Sequence, residues 1–216
     1  MNTNINRNET ITDICNSALA SVGHADFIED IQDSTPTSAV LRVVLEQVCR
    51  EVQSHEFACW DELQRETQLV KRRDVNAKES EWNLPLGMIH ASFCRDSQMR
   101  RVPFEIFGGH LRCPREFEGL VLRHSAFSFN PSEWSTELKT CVIHLLSARV
   151  VASLVKDYAS AQKLEDNFWN SVYPHWAGCK KNKARQNDYL GNDAALSGHF
   201  GISGEDGGDN GGILFY

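Results

Sequence analysis

The chain has 216 residues, with 22 Lys and Arg against 29 Asp and Glu, a formal net charge of −7. That length fits one or two domains whose core needs no disulfide staples. An acidic balance argues against a free duplex-DNA binder, which needs a basic face.

The opening MNTNINRNET lacks the apolar run of a secretory signal. The most apolar stretch, 141–155, is interrupted by His144 and Arg149 and reads as too short and too polar to span a bilayer. Cysteines 15, 49, 59, 94, 113, 141 and 179 are odd in number, scattered and without a CxxC pair. That pattern predicts reduced, buried thiols rather than a disulfide framework.

Apolar residues at helical spacing, from Ile11 to Val22, predict a first helix over 10–22. Thr10 with Asp13 forms its cap, and Gly23 supplies its stop. Ser34-Thr35-Pro36 opens a second helix, carried by Val40, Leu41, Val44, Leu45, Val48 and Val52 to about residue 54. The period then changes. Short extended runs at 67–70, 104–107, 111–113 and 120–127 predict a small antiparallel β unit, with Gly108-Gly109 as a hairpin turn. Asn130-Pro131 reads as the start of a third helix, whose wide apolar face, Leu138 to Val155, marks it as central. A fourth helix runs from about residue 160, striped by Leu164, Phe168, Val172, Trp176 and Cys179, with Pro174 breaking or kinking it.

Residues 188–216 differ in kind. They hold eight of the fourteen glycines, five acids and no Lys or Arg, then Ile213-Leu214-Phe215-Tyr216. Such a composition reads as an extended arm whose apolar tip docks elsewhere. The expected class is therefore α+β and mainly α: a discontinuous antiparallel four-helix bundle over 1–60 and 130–187, an inserted small antiparallel β domain over 61–129, and the arm.

No Gly-Lys-Ser/Thr, GxSxG or strand-borne GxGxxG is present. One metal-like spacing exists, His90 with Cys94 and His110 with Cys113, which predicts at most a tetrahedral zinc site. Chance pairing is the stronger explanation, so no metal, cofactor or catalytic residue is expected. Cys15, Cys49 and Cys141 lie on apolar helical faces and Cys59 beside Trp60, all as packing. Lys180, Lys181, Lys183 and Arg185 form a basic cluster that suits a helix C-terminus first and a polar interface second. Trp169 stands next to Phe168, so both cannot enter one core, and Trp169 is a candidate intersubunit contact.

The segment Ile14-Cys15-Asn16-Ser17-Ala18-Leu19-Ala20-Ser21-Val22-Gly23 resembles the opening helix of the head-to-tail adaptors of short-tailed phages, the tail tubular protein A family. A short link over 28–34 follows, then a second helix ending at the corner Ser54-His55-Glu56-Phe57-Ala58-Cys59-Trp60. Leu84-Pro85, a strand-turn-strand over 104–113, and helical rhythms over 145–155 and 161–173 continue the resemblance across about 10–187. Pro174, the bulky 164–169 and the Gly-rich arm depart from the family pattern.

The resemblance implies a structural virion protein without catalysis. It forms a homo-oligomeric ring, typically of twelve copies, between the portal protein and the tail nozzle protein, around the channel through which genomic DNA leaves. Its place is the head–tail junction of the virion, and the host cytoplasm during assembly, with no membrane. The alternative reading is a small cytoplasmic zinc-binding module or enzyme built on His90, Cys94, His110 and Cys113. A third is a helical nucleic-acid regulator using Lys180 to Arg185. Charge is unevenly spread: residues 1–187 carry 22 basic and 24 acidic side chains, and the arm the other five acids. The body is nearly balanced, so an acidic channel depends on where the arm goes.

Overall fold

The structure, a computed structural model, describes residues 9–55 and 60–177. Two helices come first. In α1 (Ile11–Ser21) the Thr10 hydroxyl accepts from the Asp13 N–H and the Asp13 carboxylate accepts from the Thr10 N–H, the reciprocal cap that the sequence predicts. Gly23 takes φ +70° just past its end. In α2 (Pro36–Ser54) Thr35 is the cap and Pro36 the first residue, again as predicted.

Eight strands follow: β1 (Gln64–Gln68), β2 (Lys71–Asp74), β3 (Glu79–Asn83), β4 (Met88–Arg95), β5 (Arg101–Val102), β6 (Glu105–Phe107), β7 (His110–Pro114) and β8 (Val121–Ala126). They form two antiparallel four-stranded sheets, ordered β1-β8-β4-β5 and β2-β3-β7-β6. Cys94, Val102 and Leu122 from the first sheet and Trp82, Leu111 and Cys113 from the second share one buried cluster. The β unit is thus two facing sheets, larger than the four extended runs suggest. At Gly108-Gly109 both residues have positive φ, +57° and +77°, which is the hairpin geometry joining β6 to β7.

The return to helix comes later than predicted. Asn130 does cap, but it caps a three-residue 3-10 turn, Pro131–Glu133. Trp134 is then extended, and Ser135 caps the true start of α3 (Thr136–Val150), its hydroxyl accepting from the Leu138 N–H. A π-helical turn, Val151–Val155, extends α3, giving a continuous apolar helix of twenty residues. That length reaches what a bilayer crossing needs, whereas the sequence marks only the stretch 141–155 as most apolar and too short. Its apolar character has a packing role: Leu138, Cys141, Val142, Leu145, Leu146 and Val150 are buried among α1, α2 and the last helix. Each buried leucine there contributes about 1.5–3 kcal/mol.

Lys156 in the left-handed region and Asp157, which caps from below by accepting the Ser160 N–H, turn the chain into α4 (Tyr158–Asn167). A second π-helical turn, Phe168–Val172, precedes Pro174, and residues 173–177 are again helical. Pro174 donates no hydrogen bond and its ring crowds the preceding turn, so the widened turn sits where the strain would fall. The extra residue rotates the buried face. Phe168 is buried, but the next buried positions are Tyr173 and Ala177, whereas Val172 and Trp176 are only partly buried.

The chain is α+β, with about 46% of the described residues helical and 23% in strands. Helices and sheets keep separate cores. Polar contacts join them. Gln53, buried, donates to the Ser128 carbonyl at 2.8 Å and accepts the Ser128 N–H at 3.0 Å. Glu62 accepts the Ser135 N–H, and Arg65 pairs with Glu133.

Candidate functional site

The second sheet buries one face only. Ser80, Trp82, Leu111 and Cys113 point into the β core, so the residues between them point out. Register then builds a row across the sheet: Arg73 on β2 opposite Glu81 on β3, Glu81 opposite Arg112 on β7, and Arg112 opposite Glu105 on β6. Glu81 is 2% exposed although it lies on the outer face, because guanidinium groups cover it. Arg73 donates to it at 2.8 Å, Arg112 grips it through two nitrogens at 3.0 and 2.8 Å, and Arg72 stands at 3.6 Å.

The bonds from Arg73 and then Arg112 hold the Glu81 carboxyl at about 2, well below an ordinary glutamate. Arg112 also lies over the Phe107 ring at 4.2 Å, and Arg72 bonds to His110. Alongside, Lys71 and Arg115 both reach Asp74. The arginines keep their outer edges in water: the Arg73 side chain is 61% exposed, and Phe107 is 58% exposed. The result is a charge-paired, partly aromatic face, with Arg72, Arg73 and Arg112 standing against Glu79, Glu81 and Glu105.

This cluster escaped sequence reading. The run Lys71-Arg72-Arg73 was its visible part, but Glu81 and Arg112 join it only through strand register.

The residues singled out from sequence are dispersed. Cys94 and Cys113 belong to the buried β cluster, where burial raises both thiols, Cys94 to about 11. His90 is exposed on β4 and bonds the Ser54 carbonyl, and His110 bonds Arg72. The four are not brought together, and among the described residues no three His, Cys, Asp or Glu side chains converge as metal ligands. Cys15, Cys49, Cys94, Cys113 and Cys141 are buried free thiols; burial raises Cys15 and Cys141 to about 12.

Trp169 is partly buried. It stacks on His55 at 4.9 Å and meets Phe168 edge-on at 4.7 Å. Both aromatics touch the helical core, because the π-helical turn spreads neighbouring side chains toward one side. Cys59, Cys179, the basic group Lys180, Lys181, Lys183 and Arg185, and Ile213, Leu214, Phe215 and Tyr216 lie outside the described residues.

A cleft of about 430 Å³ opens between α1, α3 and α4, lined by Ser21, His144, Ser147, Asp157 and Leu164. The hydroxyls of Ser21 and Ser147 bond each other at 2.6 Å. The sequence matches no protein-family model and none of the curated proteins.

Proposed function

We propose that the chain is a structural virion protein, a head-to-tail adaptor without catalysis. It assembles as a ring of twelve copies between portal and tail nozzle, around the exit channel for genomic DNA. The finer architecture follows that reading: a discontinuous antiparallel four-helix bundle over 1–60 and 130–187, an inserted β domain over 61–129, and an arm over 188–216. The bundle meets neighbouring copies and the portal, and the β domain faces the next tail component.

The observation that carries the proposal is the order of parts. Two capped helices, an antiparallel β unit and two more helices stand in the order and spacing of the family resemblance, with α3 packed against α1, α2 and α4. The zinc alternative lacks a converging ligand set among the described residues. Closure by rotation through head-to-tail contacts is the route to such a ring.

Mass photometry and negative-stain imaging test it, on the full chain alone and mixed with the portal ring. The expected result is a closed ring of about 290 kDa, twelve 24.4 kDa chains, at least on the portal. A chain that stays monomeric in both conditions overturns the proposal.

A further inference from the structure

The outer face of the first sheet carries arginines that no carboxylate neutralises. Cys94, Val102 and Leu122 point into the β core, so their neighbours along each strand point out. Register aligns Glu66 on β1, Arg123 on β8 and Phe93 on β4 in one row, and sets Arg95 on β4 beside Arg101 on β5. The strands of this face thus hold three arginines against one carboxylate. Glu66 stands opposite Arg123 but bonds Arg95 at 2.7 Å. The guanidiniums of Arg101 and Arg123 lie over the Phe93 ring, at 5.5 and 5.7 Å from its centroid. Among the described residues no carboxylate pairs with either. At the rim Asp96 is held by Arg100, and the exposed Glu118 pairs with neither arginine.

We propose that this face binds the phosphate backbone of duplex DNA, through Arg101 and Arg123 and without reading bases. The inference names the surface that meets the DNA in the ring reading, and it rests on that reading for the choice of a duplex.

Charge selects a polyanion. A guanidinium without a carboxylate offers a planar fork that matches phosphate. The rest of the face selects against other occupants. A protein partner needs exposed apolar anchors at the centre of its footprint. Among the described residues no exposed large apolar side chain stands on the outer face of these strands. Phe93 is only half-exposed and lies under both guanidiniums. That cover also withholds its ring from base stacking, on which single-stranded nucleic acid relies. Charge and the amides of Gln64 and Gln68 remain, which suit phosphate and sugar.

The contact of one chain is weak. Two phosphate contacts, on a chain of net charge −7, give a dissociation constant no tighter than about 0.1 mM at physiological salt. Copies arranged round one duplex add their contacts without any one of them holding it fast.

Fluorescence anisotropy with a short labelled duplex tests this on the full chain, with mass photometry on the same samples. From about 20 to about 200 mM salt the dissociation constant should rise at least about 60-fold, the slope for two phosphates. Arg101→Gln with Arg123→Gln should weaken binding at least about tenfold at low salt, with an unchanged thermal midpoint as the fold control. Arg101→Lys with Arg123→Lys keeps the charge and should stay within about threefold of the native chain. Arg101→Gln alone should halve the salt slope, a readout that holds even if the double variant unfolds.

No salt-dependent duplex binding by the native chain overturns the proposal, and leaves the ring standing where mass photometry shows one. Binding that survives Arg101→Gln with Arg123→Gln, and is lost when Lys180, Lys181, Lys183 and Arg185 become Gln, gives the DNA to that cluster and overturns it. Tighter binding of a single strand than of the duplex also overturns it. So does an acidic peptide that binds through Arg101 and Arg123 while the duplex does not. Duplex binding through these arginines by a chain that never closes into rings supports the face and removes the ring.

Discussion

Glu81 shows what a single carboxylate does when the sheet closes over it. Alone, its burial would be strongly unfavourable. Arg73 and Arg112 make its charged form the stable one and push its carboxyl down to about 2. A free glutamate titrates near 4.3. The folded value is the lower, so the stabilisation is complete above roughly pH 4.3 and drains as pH falls toward 2. Glu81→Gln should therefore lose less stability than the native chain between about pH 5 and pH 2.5, as urea unfolding at the two pH values would register. Equal losses would place the acid sensitivity elsewhere, with Asp96 the next buried carboxylate to examine. Burial alone would raise Asp96, but Arg100 and the N–H groups of Arg100 and Gln98 lower it. None of this was legible residue by residue. Glu81 lies eight positions from Arg73 and 31 from Arg112, and only register makes them neighbours.

Helix ends were the most legible elements, because their signals are local. Thr10 with Asp13, and Thr35 before Pro36, act within one turn of chain. The strands were less so. The edge strand β2, exposed at every position, reads Lys-Arg-Arg-Asp and β4 reads Met-Ile-His-Ala-Ser-Phe-Cys-Arg, neither with a clean alternation, since bulges interrupt both. At 130–136 two caps compete, and the proline-bearing one closes only a 3-10 turn. Lys156 marks a further local conflict. It holds φ +60° between the π-helical turn and Asp157, where a side chain costs about 1–2 kcal/mol. Lys156→Gly relieves that cost while adding some chain entropy to the unfolded state. The net gain should be up to about 1 kcal/mol in urea unfolding. A loss on this substitution would mean that the lysine side chain supports the turn more than its backbone strains it.

At the scale of the molecule, two cores share one chain. Leu145 anchors the helical core and Leu111 the β core. Polar links join the layers: the buried Gln53–Ser128 pair contributes about 0.5–1.5 kcal/mol net per bond, and the exposed Arg65–Glu133 pair under about 1 kcal/mol. Leu111→Ala should cost about 2–5 kcal/mol, and should speed exchange of β3 and β7 amides while those of α3 stay protected. Equal acceleration in α3 would make the two cores one cooperative unit. Trp82 alone among the five tryptophans sits in the β core, so its fluorescence reports that core. The route of the chain between the layers has a last consequence. β1 and β8 run side by side, Gln64 against Ser125, so the polypeptide leaves the helices and rejoins them at neighbouring points. A segment with adjacent ends can be gained, lost or exchanged by one genetic insertion without separating the helices that flank it. Among descendants of a common gene, the sheets are then free to diversify quickly while the helices that frame them change slowly.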